Sequence, residues 1–116
     1  MGVDRTDYIV YGWKLPYELK TSNGRKIDLW SEYQSMLEGH KDEKFSIISD
    51  GMCGDYNVFG VVLNSGGDEW EGWDFVDLKF NVDDSLELKS KYKEIFEMGE
   101  DEIVSEPHLF IFSHFS

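Results

Sequence analysis

Residues 7–15 read DYIVYGWKL, a run of β-branched and aromatic side chains that Pro16 closes. Residues of these types favour strands, and a nearly continuous apolar run indicates a strand that is mostly buried. We therefore predict the first strand of a sheet here.

A helix is predicted after the turn signal at residues 22–24, because Asp28 is a good N-cap and an apolar pattern with a period of 3.6 residues follows it. The apolar positions of this pattern are Leu29, Trp30, Tyr33, Met36 and Leu37. Gly39 is a natural C-terminal stop for the helix.

Two strands are predicted at residues 45–49 and 56–63, joined by the loop DGMCGD at residues 50–55. Two glycines and two aspartates in six residues are typical of a hairpin turn. Residues 70–80 are ambiguous, because aromatic and apolar side chains alternate there with acids. We slightly prefer an extra strand in this segment over an ordered loop packed by its aromatic rings.

A second helix is predicted to begin at Asp84, since Glu87 three residues later completes a capping-box pair. Its apolar face consists of Leu88, Tyr92, Ile95 and Phe96, and Gly99 ends it. Residues 108–115 form a last strand that is apolar on both faces.

The predicted order of elements is β-α-β-β-α-β, with the extra strand before the second helix. This order predicts an α+β fold with an antiparallel sheet and two helices on one face, and ferredoxin-like (split βαβ) is our first choice. The length of 116 residues suits a single domain spanning residues 1–116.

The last strand lies at a sheet edge in that topology, yet residues 109–112 read LFIF and carry no charge. A long apolar edge invites pairing with another strand. Either the extra strand or a second copy of the protein covers this edge, or the assumed strand order is wrong. We prefer coverage, and therefore expect a tendency to form a homodimer through the C-terminal strand.

Acidic residues dominate the chain, which has a formal net charge of −13. The first thirty residues are close to neutral, whereas residues 64–106 carry fourteen acids against four lysines. A field of this sign repels phosphate backbones and anionic membrane surfaces and attracts basic partners. We therefore expect no direct binding of nucleic acid and no membrane association.

No catalytic arrangement, metal site or cofactor motif is predicted. The loop at residues 50–55 combines Cys53 with two carboxylates, but a tight turn is the preferred interpretation. The acids between residues 68 and 77 lack the spacing of a calcium loop. His108 and His114 share a strand face but lie about 20 Å apart along it, too far for one metal. The chain is thus expected not to be an enzyme, and a single cysteine makes a reducing cytoplasm the simplest location.

Two tryptophans among acids form the predicted partner-binding surface. An indole ring offers apolar burial and cation–π contact, while neighbouring carboxylates pair with Lys or Arg. The residues of this predicted surface are Asp68, Glu69, Trp70, Glu71, Trp73, Asp74 and Asp77.

Residues 1–12, MGVDRTDYIVYG, and residues 50–60, DGMCGDYNVFG, resemble small acidic proteins encoded by large tailed phages that infect Gram-positive bacteria. These stretches cover about a fifth of the chain. The resemblance implies a protein of the host cytoplasm that binds and blocks a host protein. It implies no active site, and no residue role follows from it.

Two functions are therefore expected. The first is a non-enzymatic interaction protein that inhibits a basic host protein, such as a nucleic-acid-handling or defence enzyme, by placing carboxylates where DNA phosphates would sit. The alternative is a small-molecule or nucleotide-binding module, supported by the aromatic residues and glycine-rich loops. An anionic ligand would then require Arg5, Lys20, Arg25 and Lys26 to gather around the site.

Overall fold

The structure is a computed structural model, and it describes residues 5–37, 39, 43–51, 53–66 and 82–115. In chain order its elements are β1 (Arg5–Pro16), β2 (Leu19–Lys20), β3 (Lys26–Ile27), α1 (Leu29–Glu32), a 3-10 turn (Gln34–Met36), β4 (Ser46–Ser49), β5 (Tyr56–Gly66), α2 (Val82–Ile95) and β6 (His108–Phe115). The predicted α+β class is confirmed. The ambiguous segment at residues 70–80 lies outside the described residues.

The main sheet has four antiparallel strands in the order β4-β5-β1-β6, and β2 and β3 form a separate hairpin. The long strand β1 pairs with β5 along one side and with β6 along the other. The strand predicted at residues 7–15 is therefore a central strand of the sheet. The last strand has the predicted bounds and lies at an edge of the described sheet.

The sheet is folded over on itself. Thr6 of β1 pairs with His114, and Pro16, ten residues along the same strand, pairs with Tyr56. Ten residues of straight strand span about 33 Å, yet the Tyr56 hydroxyl lies 2.8 Å from Nδ1 of His114. The two ends of β1 therefore curve towards each other.

Between the two ends of β1, Gly12 pairs with Gly60 of β5, and the β1–β5 register shifts between Ile9 and Val10. A Cβ atom on Gly12 would lie 2.1 Å from the Phe59 carbonyl oxygen, and one on Gly60 would lie 2.4 Å from the Tyr11 carbonyl oxygen. These distances leave no room for a side chain on either residue. Two facing glycines thus permit the close backbone approach of β1 and β5.

The larger core packs both helices and the β2–β3 hairpin against one face of the sheet. Trp13 is at its centre: the indole stacks on Phe59 at 5.7 Å between ring centroids and lies 4.7 Å from the ring of Tyr92. Its Nε1 donates to the carbonyl of Ser105 at 3.0 Å. One side chain of β1 therefore joins β5, α2 and the loop before β6.

A smaller core fills the inside of the bend. Val10, Ile48 and Val58 are almost fully buried there. The partly buried side chains that pack against them are Tyr8, Tyr56, Val62, Phe110 and Phe112. This core holds the two arms of the folded sheet together.

The first helix is shorter than predicted. It ends at Glu32, because the backbone of Tyr33 leaves helical geometry at φ −132° and ψ 41°. The chain then makes a 3-10 turn, and Leu37 forms a parallel bridge to Ile47 at the edge of the sheet. Pairing with the sheet thus replaces the continued helix that the apolar period predicts.

The second helix, α2, has 14 residues. Among the described segments, no helix combines the length and the apolar character needed to cross a membrane.

Candidate functional site

A cavity of about 670 Å³ lies between the β2–β3 hairpin, the start of α1 and the turn between β4 and β5. Its volume is in the range of pockets that hold small molecules. Polar, charged and aromatic side chains and one glycine of the lining are Tyr17, Glu18, Lys20, Lys26, Asp28, Trp30, Gly51, Asn57 and His114.

The hairpin wall of the cavity is fixed at its turn. The Thr21 amide donates to the carbonyl of Arg25 at 2.8 Å, and the amide of Gly24, at φ 86°, donates back to the carbonyl of Thr21. Ser22 ties the turn to the end of α2, with its amide donating to the carbonyl of Phe96 and its hydroxyl to that of Glu97. The wall is therefore anchored to the main core.

Arg25 is part of this anchor. Its guanidinium donates to the carboxylates of Glu97 at 2.9 Å and Glu32 at 3.0 Å. Hydrogen bonds to Glu97 and then Glu32 raise the pKa of Arg25 above its ordinary value. Arg25 thus links the hairpin turn to both helices and does not line the cavity.

The capping of α1 places Trp30 at the edge of the cavity. The Asp28 carboxylate accepts from the amide and the hydroxyl of Ser31, and the Asp28 amide donates to the Glu32 carboxylate at 2.9 Å. Leu29 is then directed into the core, whereas Trp30 is 66% exposed. The apolar period predicts Trp30 on the buried face of a longer helix, and that prediction is wrong because α1 has only four residues.

The opposite wall depends on Asn57, which is buried. Its amide nitrogen donates to the carbonyls of Pro16 at 3.1 Å and Tyr17 at 2.8 Å, and its oxygen accepts from the Ser49 hydroxyl at 2.6 Å. These three bonds hold the end of β1 against the β4–β5 turn. They also fix Tyr17, which is half-exposed at the edge of the cavity.

His114 of β6, which pairs with Thr6 near the N-terminal end of β1, lines the cavity and is buried. Its imidazole shares a hydrogen bond with the Tyr56 hydroxyl. Burial, and then the nearby negative charge of Asp50, raise the pKa of Tyr56 above its ordinary value. The Tyr56 hydroxyl thus holds the imidazole of His114 in place at this end of the cavity.

Two lysines occupy the hairpin side of the cavity. Lys20 of β2 and Lys26 of β3 are direct cross-strand partners. Their neighbours Leu19 and Ile27 are buried in the core, so both lysine side chains are on the outer face of the hairpin. Strand alternation thus puts the two lysines side by side on the face opposite Leu19 and Ile27, and all four residues line the cavity.

The β4–β5 turn has the structural role that its sequence favours. The carboxylate of Asp50 accepts from the amide of Cys53 at 3.1 Å and from that of Asp55 at 3.0 Å. Ligand atoms of these three residues lie within 4.8 Å of one another. Because Asp50 is occupied in closing the turn and Cys53 and Asp55 are exposed, the geometry is that of a tight turn.

The seven predicted partner-binding residues, Asp68, Glu69, Trp70, Glu71, Trp73, Asp74 and Asp77, all lie outside the described residues. Of the cations required for an anionic ligand, only Lys20 and Lys26 are among the cavity-lining residues that the structure describes.

The sequence contains a signal for this hairpin. Around the turn, Leu19-Lys20 is mirrored by Lys26-Ile27, which is the pattern of two short strands with paired lysines on one face.

Comparison with known proteins gave no match among family models, curated proteins or solved structures.

Proposed function

We propose that the protein is a binding module for a small aromatic molecule, held in the cavity beside the β2–β3 hairpin. The observation that carries the proposal is a cavity of about 670 Å³ whose walls are fixed by internal hydrogen bonds and whose edge bears exposed aromatic rings. Pockets of this size with a few fixed polar groups are the usual sites for small ligands.

Tyr17 and Trp30 supply the ring-binding surface. Tyr17 is 47% exposed and Trp30 is 66% exposed, although both side chains are large and partly apolar. Aromatic rings bind flat ligands by stacking, and a Trp or Tyr ring gives a large contact area. Ligand binding accounts for the exposure of these two rings at one cavity.

Thermal-shift measurements over a panel of nucleosides, nucleotides and small aromatic acids test this function. A ligand that binds the folded state stabilises it by mass action, so at least one compound is expected to raise the melting temperature. Trp30→Ala is expected to reduce that shift while changing the free energy of unfolding by less than about 0.5 kcal/mol, because Trp30 is exposed.

Two further variants test whether the rise in melting temperature comes from binding in the cavity. A Cβ atom on Gly51 meets nothing within 4 Å, so Gly51→Phe is expected to fill the cavity without distorting the turn. Leu86→Ala is the matched control, since Leu86 is an exposed apolar residue of α2 outside the cavity. A melting temperature that no compound raises, or one that rises equally in Gly51→Phe, would contradict the proposal.

The second candidate function is an acidic, phage-encoded inhibitor of a basic host protein. It is supported by the net charge of −13 and by the loop after α2, where Glu97, Glu100, Asp101 and Glu102 are exposed. Carboxylates gathered in this way attract Lys and Arg side chains.

Affinity capture from a bacterial lysate tests the second candidate. The expected result is a basic partner whose binding weakens as salt is added, since exposed charges are screened. Trp70→Ala combined with Trp73→Ala should abolish capture, whereas Trp30→Ala should not. Capture that salt leaves unchanged, or that survives the double substitution, argues against this function.

For the fold, the finer proposal is a ferredoxin-like split βαβ arrangement. It is supported by the order of the four long strands, in which the first and third are central and the second and fourth are at the edges. An experimental structure with right-handed crossovers between β1 and β4 and between β5 and β6 is the expected result. A left-handed crossover would rule this arrangement out.

A further inference from the structure

The two paired lysines of the hairpin repel each other electrostatically. Lys20 and Lys26 are directly opposite each other in the two-stranded hairpin, and both are exposed on the same side. Like charges at directly opposed strand positions repel and destabilise the pairing. The hairpin would lose this repulsion if an anion lay between the two ammonium groups.

Four other cations of the described residues have a carboxylate partner. Arg25 pairs with Glu32 and Glu97. Three lysines also pair with carboxylates, namely Lys44 with Glu87, Lys89 with Glu106 and Lys91 with Glu94. Neither Lys20 nor Lys26 has an ion pair within the residues that the structure describes. Lys14 and Lys93 also have no carboxylate partner among these residues, and Lys93 donates to the carbonyl of Glu100. Lys20 and Lys26 differ from them in being direct cross-strand partners of like charge.

The cavity also contains two carboxylates, but they differ in availability. That of Asp28 is occupied in capping α1 through Ser31. Glu18 is exposed and lies two residues before Lys20. Its negative charge opposes an anionic ligand, so the affinity for an anion depends on the balance between Glu18 and the lysine pair.

We propose that Lys20 and Lys26 form an anion subsite of this cavity, which therefore takes a planar ring bearing a phosphate or carboxylate group. The inference rests on the proposed ligand-binding function and specifies its ligand class. The ring lies against the aromatic edge at Trp30 and Tyr17, and the anionic group lies between the two ammonium groups, which donate charge-assisted hydrogen bonds to it.

The test is a titration followed by NMR, with ¹⁵N-labelled protein and four compounds: phenyl phosphate, benzoate, neutral benzyl alcohol and inorganic phosphate. The backbone amides of residues 17–30 are expected to shift with phenyl phosphate or benzoate at about tenfold lower concentration than with benzyl alcohol, because hydrogen bonds to charged groups are the stronger ones. Comparison of phenyl phosphate with benzoate shows which anion the site prefers. Inorganic phosphate shows what the anion contributes without a ring.

Variants test whether the preference for ring anions over benzyl alcohol depends on the lysine pair. Lys20→Gln combined with Lys26→Gln should reduce the binding of both ring anions to the level of benzyl alcohol. Lys14→Gln is the matched control, because Lys14 is an exposed lysine that does not line the cavity. It should leave the anion preference intact. Glu18→Gln should strengthen anion binding.

The outcomes separate the subsite from the function. If benzyl alcohol and the ring anions shift the same amides at equal concentrations, or if the preference survives in the double lysine variant, the anion subsite is wrong and the cavity remains a ligand site. If none of the four compounds shifts these amides, both the subsite and the proposed function are contradicted.

Discussion

At the scale of single residues, Gly12 and Gly60 permit a close approach of β1 and β5 in the folded-over sheet. A Cβ atom on either residue would overlap a backbone carbonyl oxygen. The smaller core of Val10, Ile48 and Val58 depends on this approach. Two glycines 48 positions apart in the chain thus allow the bend that brings His114 to the cavity.

Gly12→Ala is expected to destabilise the protein by about 3 kcal/mol, because the new methyl group forces the two strands apart in a packed interior. Urea unfolding followed by circular dichroism measures the change. Gly51→Ala is the control, since a Cβ atom there meets nothing within 4 Å, and it should change stability by less than about 0.5 kcal/mol. Equal effects of the two substitutions would show that the bend does not need a glycine.

Tyr56→Phe should make stability less sensitive to alkaline pH. Burial and Asp50 raise the pKa of Tyr56 in the folded protein, so its neutral form stabilises the fold below the ordinary tyrosine pKa of about 10. This stabilisation is lost as the pH rises through the higher pKa of the folded state. The substitution removes one hydrogen bond to His114, which costs about 1 kcal/mol at neutral pH.

The free energy of unfolding of wild type and Tyr56→Phe, measured from pH 8 to pH 11, checks this prediction. The difference between the two proteins should narrow above about pH 10. Lysines and the other tyrosines titrate in both proteins, so their effects cancel in the difference. A difference that stays constant or widens with pH contradicts the role given to Tyr56.

At the scale of elements, β6 lies at an edge of the sheet that the described residues form, and it is unusual for an edge strand. Its eight residues contain no Lys, Arg, Asp, Glu or Pro, and Leu109 and Ile111 are 47% and 64% exposed. Proteins usually place charges or proline on edge strands to prevent pairing with other chains. We propose that a second copy of the protein pairs here, with the two β6 strands antiparallel across a two-fold axis.

Ile111→Lys is expected to weaken this dimer by about tenfold or more, because it places two charges in an apolar contact. Sedimentation equilibrium over a range of protein concentrations measures the association. Ile103→Lys is the matched control, since Ile103 is 93% exposed in the loop before β6. A wild type that stays monomeric at every concentration contradicts the proposed dimer.

The strands and helices differ in how well the sequence predicts their bounds. The bounds of β6 were predictable, and those of β1 nearly so, because continuous β-branched and aromatic runs end at clear breaks. The β2–β3 hairpin is hard to predict because each strand has two residues, so the mirrored pairs Leu19-Lys20 and Lys26-Ile27 are its only strand pattern among the described residues. The length of α1 was overestimated because periodicity does not detect the competing bridge from Leu37 to Ile47.

The candidate site was less predictable than the fold. Lys20 and Lys26 form a site only through their register in the hairpin, and His114 enters it only through the bend of β1. Lys20 and Lys26 are six residues apart, and the mirrored pairs Leu19-Lys20 and Lys26-Ile27 are a local signal for their register. His114 is distant in sequence from the other residues of the cavity, so no local pattern predicts its place there. The predicted surface around Trp70 lies outside the described residues and remains a prediction.

At the scale of the whole molecule, the acidic character and the cavity point to different partners. A net charge of −13 favours a basic protein and disfavours anions in general. The lysine pair is a local exception to this field, placed beside aromatic rings. A site that concentrates positive charge in an acidic protein admits an anion at one place and repels it elsewhere.

A crystal structure of the protein grown with phenyl phosphate tests the central claim most directly. We predict the phenyl ring against Trp30 or Tyr17, with phosphate oxygens about 3 Å from Nζ of both Lys20 and Lys26. A cavity filled by part of the protein's own chain, or a phosphate bound away from the lysine pair, would contradict the account.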